Sequence, residues 1–407
     1  MNLDSTTRVS RRLGAVSRLR DRWAPGPWSS DATALTVLTV LLLLIGLVMT
    51  FSASFVDGAE AGDPFATFRR QLLWAGLGVP AFVVTANLDH RVWRRISWVM
   101  LVVALLGLVL VLVPGVGVER FGSSRWIGVP PFVFQPSELA KLATLLWLAD
   151  VLERKRPRDG GPFPTEHLLV PALPLLFVLG ALVMAQPDLG TTILLGLVIG
   201  AVLWVEGLPA RFVAAALASA VFAVGVLAMI APYRVARIGG WLWPERYPLD
   251  EGFQLLQSWY ALGSGGWFGV GLGSSRGKWN FVPNPETDFI FAIIGEELGL
   301  VGAVGVVLLF TGVLYVGLKI AYAASDGFGR TIALAITAWL VGQALINIGT
   351  VTGLLPITGV TLPLVSVGGS SLVSTLVSLG ILVAIARRDV VSSHSPSSRT
   401  SDARGPS

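Results

Sequence analysis

No cysteine occurs in the 407 residues, and histidine appears only three times, at His90, His167 and His394. The first absence excludes disulfides, Cys-ligated zinc and a thiol nucleophile, and the wide spacing of the histidines leaves no His-based metal site. Charge is also sparse. Only 14% of residues are Asp, Glu, Lys or Arg against 53% hydrophobic, with mean hydropathy +0.71. The apolar residues gather into long runs separated by short polar links, the pattern of an all-α polytopic membrane protein.

Runs long enough to span a bilayer begin near Leu35, Leu72, Ser97, Ser137, Leu168, Gly190, Phe212, Phe289, Thr331 and Ser370, which predicts about ten transmembrane helices. No charge interrupts the stretch from Thr331 to Arg387, so it holds two spans and the loop Gly353 to Gly369 between them. The first run follows an Arg-rich stretch and has no small-residue cleavage site before Arg69, so it reads as a retained span rather than a signal peptide. Residues 1–33 and 389–407, rich in Arg, Ser and Pro, read as disordered tails around a membrane domain at 34–388.

Most of the 30 Lys and Arg fall on the side of the N-terminus when spans are counted alternately, so both termini are expected in the cytoplasm. The basic character, pI 9.9, then speaks to orientation and anionic lipid rather than nucleic acid. The remaining cations fall outside: Arg69, Arg70, Arg120, Arg125, Lys141, Arg234, Arg237, Arg246, Arg276 and Lys278. That is an excess on a face the sorting rule depletes. It points to an anionic partner outside the membrane, although positive-inside is a bias that loops of this length also tolerate breaking.

A charged side chain at mid-helix costs roughly 2.5–3.5 kcal/mol on insertion scales, so carboxylates near spans are informative. Asp288, closing Pro285-Glu-Thr-Asp288, stands at the mouth of the apolar helix opened by Phe289. Helix-start chemistry accounts for it as well as a polar cavity does, with Asn284 as cap and Glu286 and Asp288 on the dipole. Glu296 and Glu297 lie two turns further in, about 12 Å by the helical rise, so at least one should face the interior. Asp188, in Gln186-Pro-Asp-Leu-Gly190, marks another outside turn.

Three outside loops accompany these acids. Val116 to Phe134 leads into a helix with Pro136 in its first turn and Glu138 and Lys141 spaced i,i+3 on one face, either as ordinary capping with a self-neutralising pair or as a functional pair. Residues 232–287, between the seventh and eighth spans, form a loop too long for a plain connection. Within it, Gln254 to Leu262 suits a helix lying in the interface, and the glycine-rich run Gly263 to Lys278 suits close backbone approach to a ligand. Its glycine spacing is not that of a Walker A loop. The last loop, Gly353 to Ser371, carries Pro and Gly at membrane depth but no ionisable group, as befits irregular backbone that lines a cavity or is buried in protein.

These segments resemble the SEDS family of cell-wall glycosyltransferases, FtsW and RodA, over roughly residues 35 to 388. The motifs are Ser124-Arg-Trp-Ile, Phe134-Gln-Pro-Ser-Glu-Leu-Ala-Lys141, Gln186-Pro-Asp-Leu-Gly-Thr191, the glycine-rich run, Thr287-Asp-Phe-Ile-Phe-Ala-Ile-Ile-Gly-Glu-Glu-Leu-Gly299 and the Gly-Gly-Ser-Ser371 loop, in the family's order. Arg276-Gly-Lys-Trp-Asn before Asp288 looks more like FtsW of actinobacterial type. One departure is Val367, where the family often has Tyr.

The resemblance implies a multi-pass cell-membrane enzyme that polymerises lipid II on the extracytoplasmic face during cell division. Asp288 would be the general base, and undecaprenyl pyrophosphate would leave with inversion at the anomeric carbon. Arg125, Trp126, Gln135, Ser137, Glu138, Lys141, Arg276, Lys278, Ser370 and Ser371 would bind substrate. It implies no tightly bound cofactor and no protein metal ligands, although Mg or Mn accompanying the diphosphate fits the chemistry. Expected partners are a class B penicillin-binding protein transpeptidase and other divisome membrane proteins. A lipid II flippase is the competing reading, since broken helices and charged span ends suit transport equally.

Overall fold

The computed structural model describes residues 26–120, 123–129, 132–159, 161–216, 218–219, 232–250, 252–279, 282–283 and 285–393. Most of the span expected from Phe212, the outer parts of both tails with His394, and Asn284 lie outside the described residues.

Continuous apolar stretches form helices where they were expected. They are α1 (Ser30–Glu60), α2 (Ala66–Ala86), α3 (His90–Val111), α4 (Pro136–Lys155), α5 (Thr165–Met184) and α6 (Leu189–Val205). After the large loop come α9 (Ile290–Ala323), α10 (Gly327–Val351) and α11 (Gly369–Ser393), the loop itself holding α7 (Pro232–Leu242) and α8 (Phe253–Ser264). Among the described residues six helices, α1, α3, α5, α9, α10 and α11, are long and apolar enough to cross a membrane. The molecule is a polytopic helical membrane protein.

α10 and α11 form the centre, with 78% of each apolar window buried, whereas α3 and α5 bury only 28% and turn Val99, Leu106 and Phe177 outward. An apolar residue facing lipid costs nothing, so the outer helices are hydrophobic all round. The all-α expectation needs one amendment. The loop after α3 folds into an antiparallel sheet, β1 (Gly117–Arg120), β2 (Ser123–Val129) and β3 (Phe132–Phe134), with Val118 opposite Trp126 and Ile127 opposite Phe134. Pairing satisfies the peptide groups of a segment that links two apolar helices.

At 34 residues α9 would run about 50 Å, well beyond the ~30 Å hydrocarbon core, and it does not stay regular. Gly299, at φ 69° and ψ −166°, breaks it. The glycine-rich run fills the break: Val270 and Gly271 donate their N–H groups to the carbonyls of Glu296 and Glu297 at 2.9 and 3.1 Å. On the other side, the N–H groups of Leu300 and Val301 donate to Gly266 and Trp267 carbonyls at 2.9 and 3.1 Å. A Cβ on Gly269 would lie 2.1 Å from the Glu297 carbonyl oxygen, so only glycine lets the two backbones meet.

Gly299→Ala should therefore be severe, because its Cβ would fall 2.3 Å from the Gly269 nitrogen at a left-handed φ. Strain and overpacking together predict a loss of roughly 2–4 kcal/mol. A thermal-unfolding midpoint equal to that of the wild type would count against this account of the break.

On the opposite end of the bundle, charged groups close the helices against one another. His90 Nε2 lies 2.9 Å from Asp326, Arg94 meets Asp150 at 2.9 Å, Arg156 bridges Glu153 and Glu206, and Arg388 pairs with Asp89.

Candidate active site

The last loop, residues 353–369, runs from α10 to α11 and ties both to the segment that opens α9. Ser366 Oγ donates to the Thr287 carbonyl at 2.6 Å and accepts from the Leu362 N–H at 2.8 Å, and the Val367 N–H donates to the Glu286 carbonyl at 2.9 Å. Gln71 of α2 holds the same loop through the Ser366 carbonyl and the Gly368 N–H, at 3.4 and 3.3 Å. At Val367 it is the backbone N–H that makes this contact, so the contact does not depend on which side chain stands there.

This lashing fixes the segment that carries Asp288. The helix begins after it, with Phe289 at the N-cap and no side-chain cap bond there, so Asp288 is not spent on capping. The residue is partly buried. Loss of water around its carboxyl is the largest influence; Arg125 opposes it, Asp188 and Glu286 reinforce it, and the pKa is pushed up to about 6. A carboxyl poised there is ionised at neutral pH yet basic enough to accept a proton.

Arg125 reaches this region from β2, donating to the Gln186 and Pro187 carbonyls at 2.9 and 2.6 Å. Asp188 caps α6, accepting from the Thr191 N–H and hydroxyl at 3.0 and 2.9 Å. A cavity of about 360 Å³ opens beside Arg125, lined by Ser124, Gly117, Pro187 and the end of α3. Trp126 is partly exposed in the middle strand of the sheet.

On α4, Pro136 opens the helix as its sequence requires, and Glu138 Oε1 and Lys141 Nζ lie 2.9 Å apart, both nearly fully buried. Lys141 also donates to Gln343 Oε1 at 3.0 Å and stands 5.0 Å over the Trp339 ring. Glu138 Oε2 and Ser137 Oγ are buried without a hydrogen-bond partner among the described residues. Ser370 Oγ accepts from the Gln135 N–H at 3.2 Å, bringing β3, α4 and α11 together, and Ser371 is partly buried one residue on.

The remaining two predicted cations part company. Arg276 lies exposed on the glycine-rich run, while Lys278, only 4% exposed, pairs with Glu297 at 3.3 Å and donates to the Gly273 carbonyl. Both Glu296 and Glu297 face inward. Glu296 accepts from Ser275 Oγ and the N–H groups of Arg276 and Gly277 at 2.5, 2.8 and 3.1 Å, and Glu297 accepts from Ser52 Oγ of α1 at 2.7 Å. These acids fasten the loop that fills the break in α9. Among the described residues no group of three or more His, Asp and Glu is placed to hold a metal by itself.

The family model described as "Cell cycle protein", covering FtsW, RodA and SpoVE, matches residues 33–390. The chain belongs to this FtsW/RodA/SpoVE family. It is 45% identical to stage V sporulation protein E of Bacillus subtilis over 361 residues, 88% of this chain and 98% of that protein. With the probable peptidoglycan glycosyltransferase FtsW of Mycobacterium tuberculosis it shares 43% over 368 residues, 90% of this chain and 70% of that one. Among solved structures it resembles a chain of a peptidoglycan synthase complex, with TM-score 0.72 and 32% identity over 87% of this chain and 97% of that chain. RodA of Thermus thermophilus gives 0.64 and 29%, covering 87% and 95%.

Gln343 and Asn347 of this FtsW/RodA/SpoVE chain escaped the sequence reading. Asn347 Nδ2 donates to the carbonyls of Asp288 and Val360, both at 2.8 Å, and Gln343 Nε2 donates to the Thr361 carbonyl at 2.9 Å. Their signal was available: two amides spaced i,i+4 within an otherwise apolar span.

Proposed function

We propose that this FtsW/RodA/SpoVE member is a peptidoglycan glycosyltransferase that polymerises lipid II into glycan strands during cell division. The observation that carries it is Asp288, held at the mouth of α9 with its pKa raised to about 6. In this reading the 4-hydroxyl of the acceptor sugar attacks the anomeric carbon of the donor. Its proton passes to the Asp288 carboxylate as the C–O bond forms, and the bond to undecaprenyl pyrophosphate breaks on the opposite face, giving inversion.

The leaving diphosphate needs positive charge. In this reading Arg125 and Arg276 meet it, with Lys141 supplying a fixed field from behind Glu138. Trp126 offers a ring face for sugar or prenyl chain, and Gln135, Ser137, Ser370 and Ser371 line the α4–α11 side. We keep Lys278 in this set through its neighbour Arg276, whose loop it anchors. A divalent cation, if used, would travel with the diphosphate and would be neutralised by it rather than by a protein cage.

About ten helices, cytoplasmic termini at 1–33 and 389–407, and an outward-facing loop at 232–287 complete the arrangement. A class B penicillin-binding protein and other divisome proteins are its expected companions. The gathering of the polar motifs at the Asp288 end of the bundle favours an enzyme over a flippase, which needs comparable polar groups approachable from the other side.

The test is labelled lipid II supplied to the purified protein, with and without a partner transpeptidase. Polymer should form, with kcat/KM falling as pH drops below about 6, because only ionised Asp288 accepts a proton. Transbilayer movement of lipid II without any polymer would decide for the transporter, and an acid limb near 4 would remove the raised carboxyl from the mechanism.

A further inference from the structure

We infer that Gln343 and Asn347 are positioning residues: one face of α10 sets the last outer loop in register between the Lys141 and Asp288 halves of the site. This inference rests on the assignment of Asp288 as base. The two amides lie one turn apart, about 6 Å along the axis, and grip adjacent residues of the loop, Thr361 and Val360. Each also reaches one half of the site: Gln343 takes the Lys141 ammonium at 3.0 Å, and Asn347 takes the backbone carbonyl of Asp288 at 2.8 Å.

Neither amide is free to turn over. Gln343 Oε1 accepts from Lys141 and, at 2.8 Å, from the Trp339 indole N–H, both groups that only donate; its NH₂ must therefore face the Thr361 carbonyl. Asn347 faces two carbonyls, which only accept, so its NH₂ is fixed toward them and Oδ1 is left buried without a partner among the described residues. A buried amide that leaves an acceptor unpaired is costly and is not what packing alone would select.

The loop position matters for the carboxyl itself, since a Cβ on Gly359 would come within 3.5 Å of Asp288 Oδ2. Charged groups acting on that carboxyl are Arg125 from β2, Asp188 from the start of α6 and Glu286 from its own segment. Residues 353–369 contain no ionisable side chain, so a loop that loosens admits water and not a new charge.

The two amides should therefore fail differently in steady-state polymerisation by the full-length protein. Asn347→Ala should lower kcat by roughly 10- to 100-fold, the scale of a small misplacement of a reacting group, and move the acid limb of the pH profile downward. Gln343→Leu should act mainly on KM, leave the acid limb in place, and cost less than about twofold more once Lys141 is already Ala. If either variant fails to fold, Asn347→Ser and Gln343→Met serve in its place, with thermal midpoints recorded for all. Folded variants whose KM and acid limb match wild type, or a Gln343→Leu penalty as large without Lys141 as with it, would overturn the inference. Retained polymerisation by Asp288→Asn would instead overturn the base assignment beneath it.

Discussion

Asp288→Asn should abolish polymer formation and at the same time make the protein harder to melt at pH 8. Loss of a general base is worth roughly 10² to 10⁴ in rate. The gain in stability follows from the direction of the pKa shift. Burial is the main cause, opposed by Arg125 and assisted by Asp188 and Glu286, and it raises the carboxyl from 3.8 to about 6. Between those values the folded protein holds a proton that the unfolded chain has released. Stability therefore falls as pH rises through this window and stays lower above it, by up to about 3 kcal/mol. Asparagine removes the titration, so the advantage of the variant should be full at pH 8 and vanish near pH 4. Wild-type polymerisation by the variant, or an earlier melt at both pH values, would refute the assignment.

The second large effect is expected at the Glu138–Lys141 pair. Both side chains are nearly fully buried, 2.9 Å apart. Removing one leaves the other charged and without its counter-ion, which costs roughly 3–5 kcal/mol, whereas removing both leaves no charge to solvate. Glu138→Gln and Lys141→Ala should each lower the melting point and the polymerisation rate. The double variant should recover much of the stability and be no less active than the worse single variant. Additive losses in both measurements would show that the two residues act independently.

The sequence made the helices legible because lipid rewards uninterrupted apolar runs, and Pro136 and Glu138 announced the start of α4 by chemistry that needs no tertiary partner. It also singled out Asp288, and the Glu138–Lys141 pair that the structure forms, since isolated charges in such a chain must have a reason. The β1–β3 sheet was missed because its strands are short and interrupted by Gly and Pro. The break at Gly299 was missed because glycine is common in membrane helices and leaves no mark until another backbone occupies the gap. Lys278 illustrates the remaining limit. Its attraction to Glu297 crosses 19 residues of chain, and composition cannot say which of several cations an acid will take. Gln343 and Asn347 carry no charge and so drew no attention, although their spacing matched the face they present.

The repair of α9 by the glycine-rich run has a practical consequence. Those four backbone hydrogen bonds belong in effect to the span itself, two donated and two accepted by chain that precedes it in translation. An affinity tag or protease site inserted between Gly265 and Gly271 should strand the amide and carbonyl groups on both sides of the break and destabilise α9. Around Leu249, 85% exposed and outside those four hydrogen bonds, the same insertion should be tolerated.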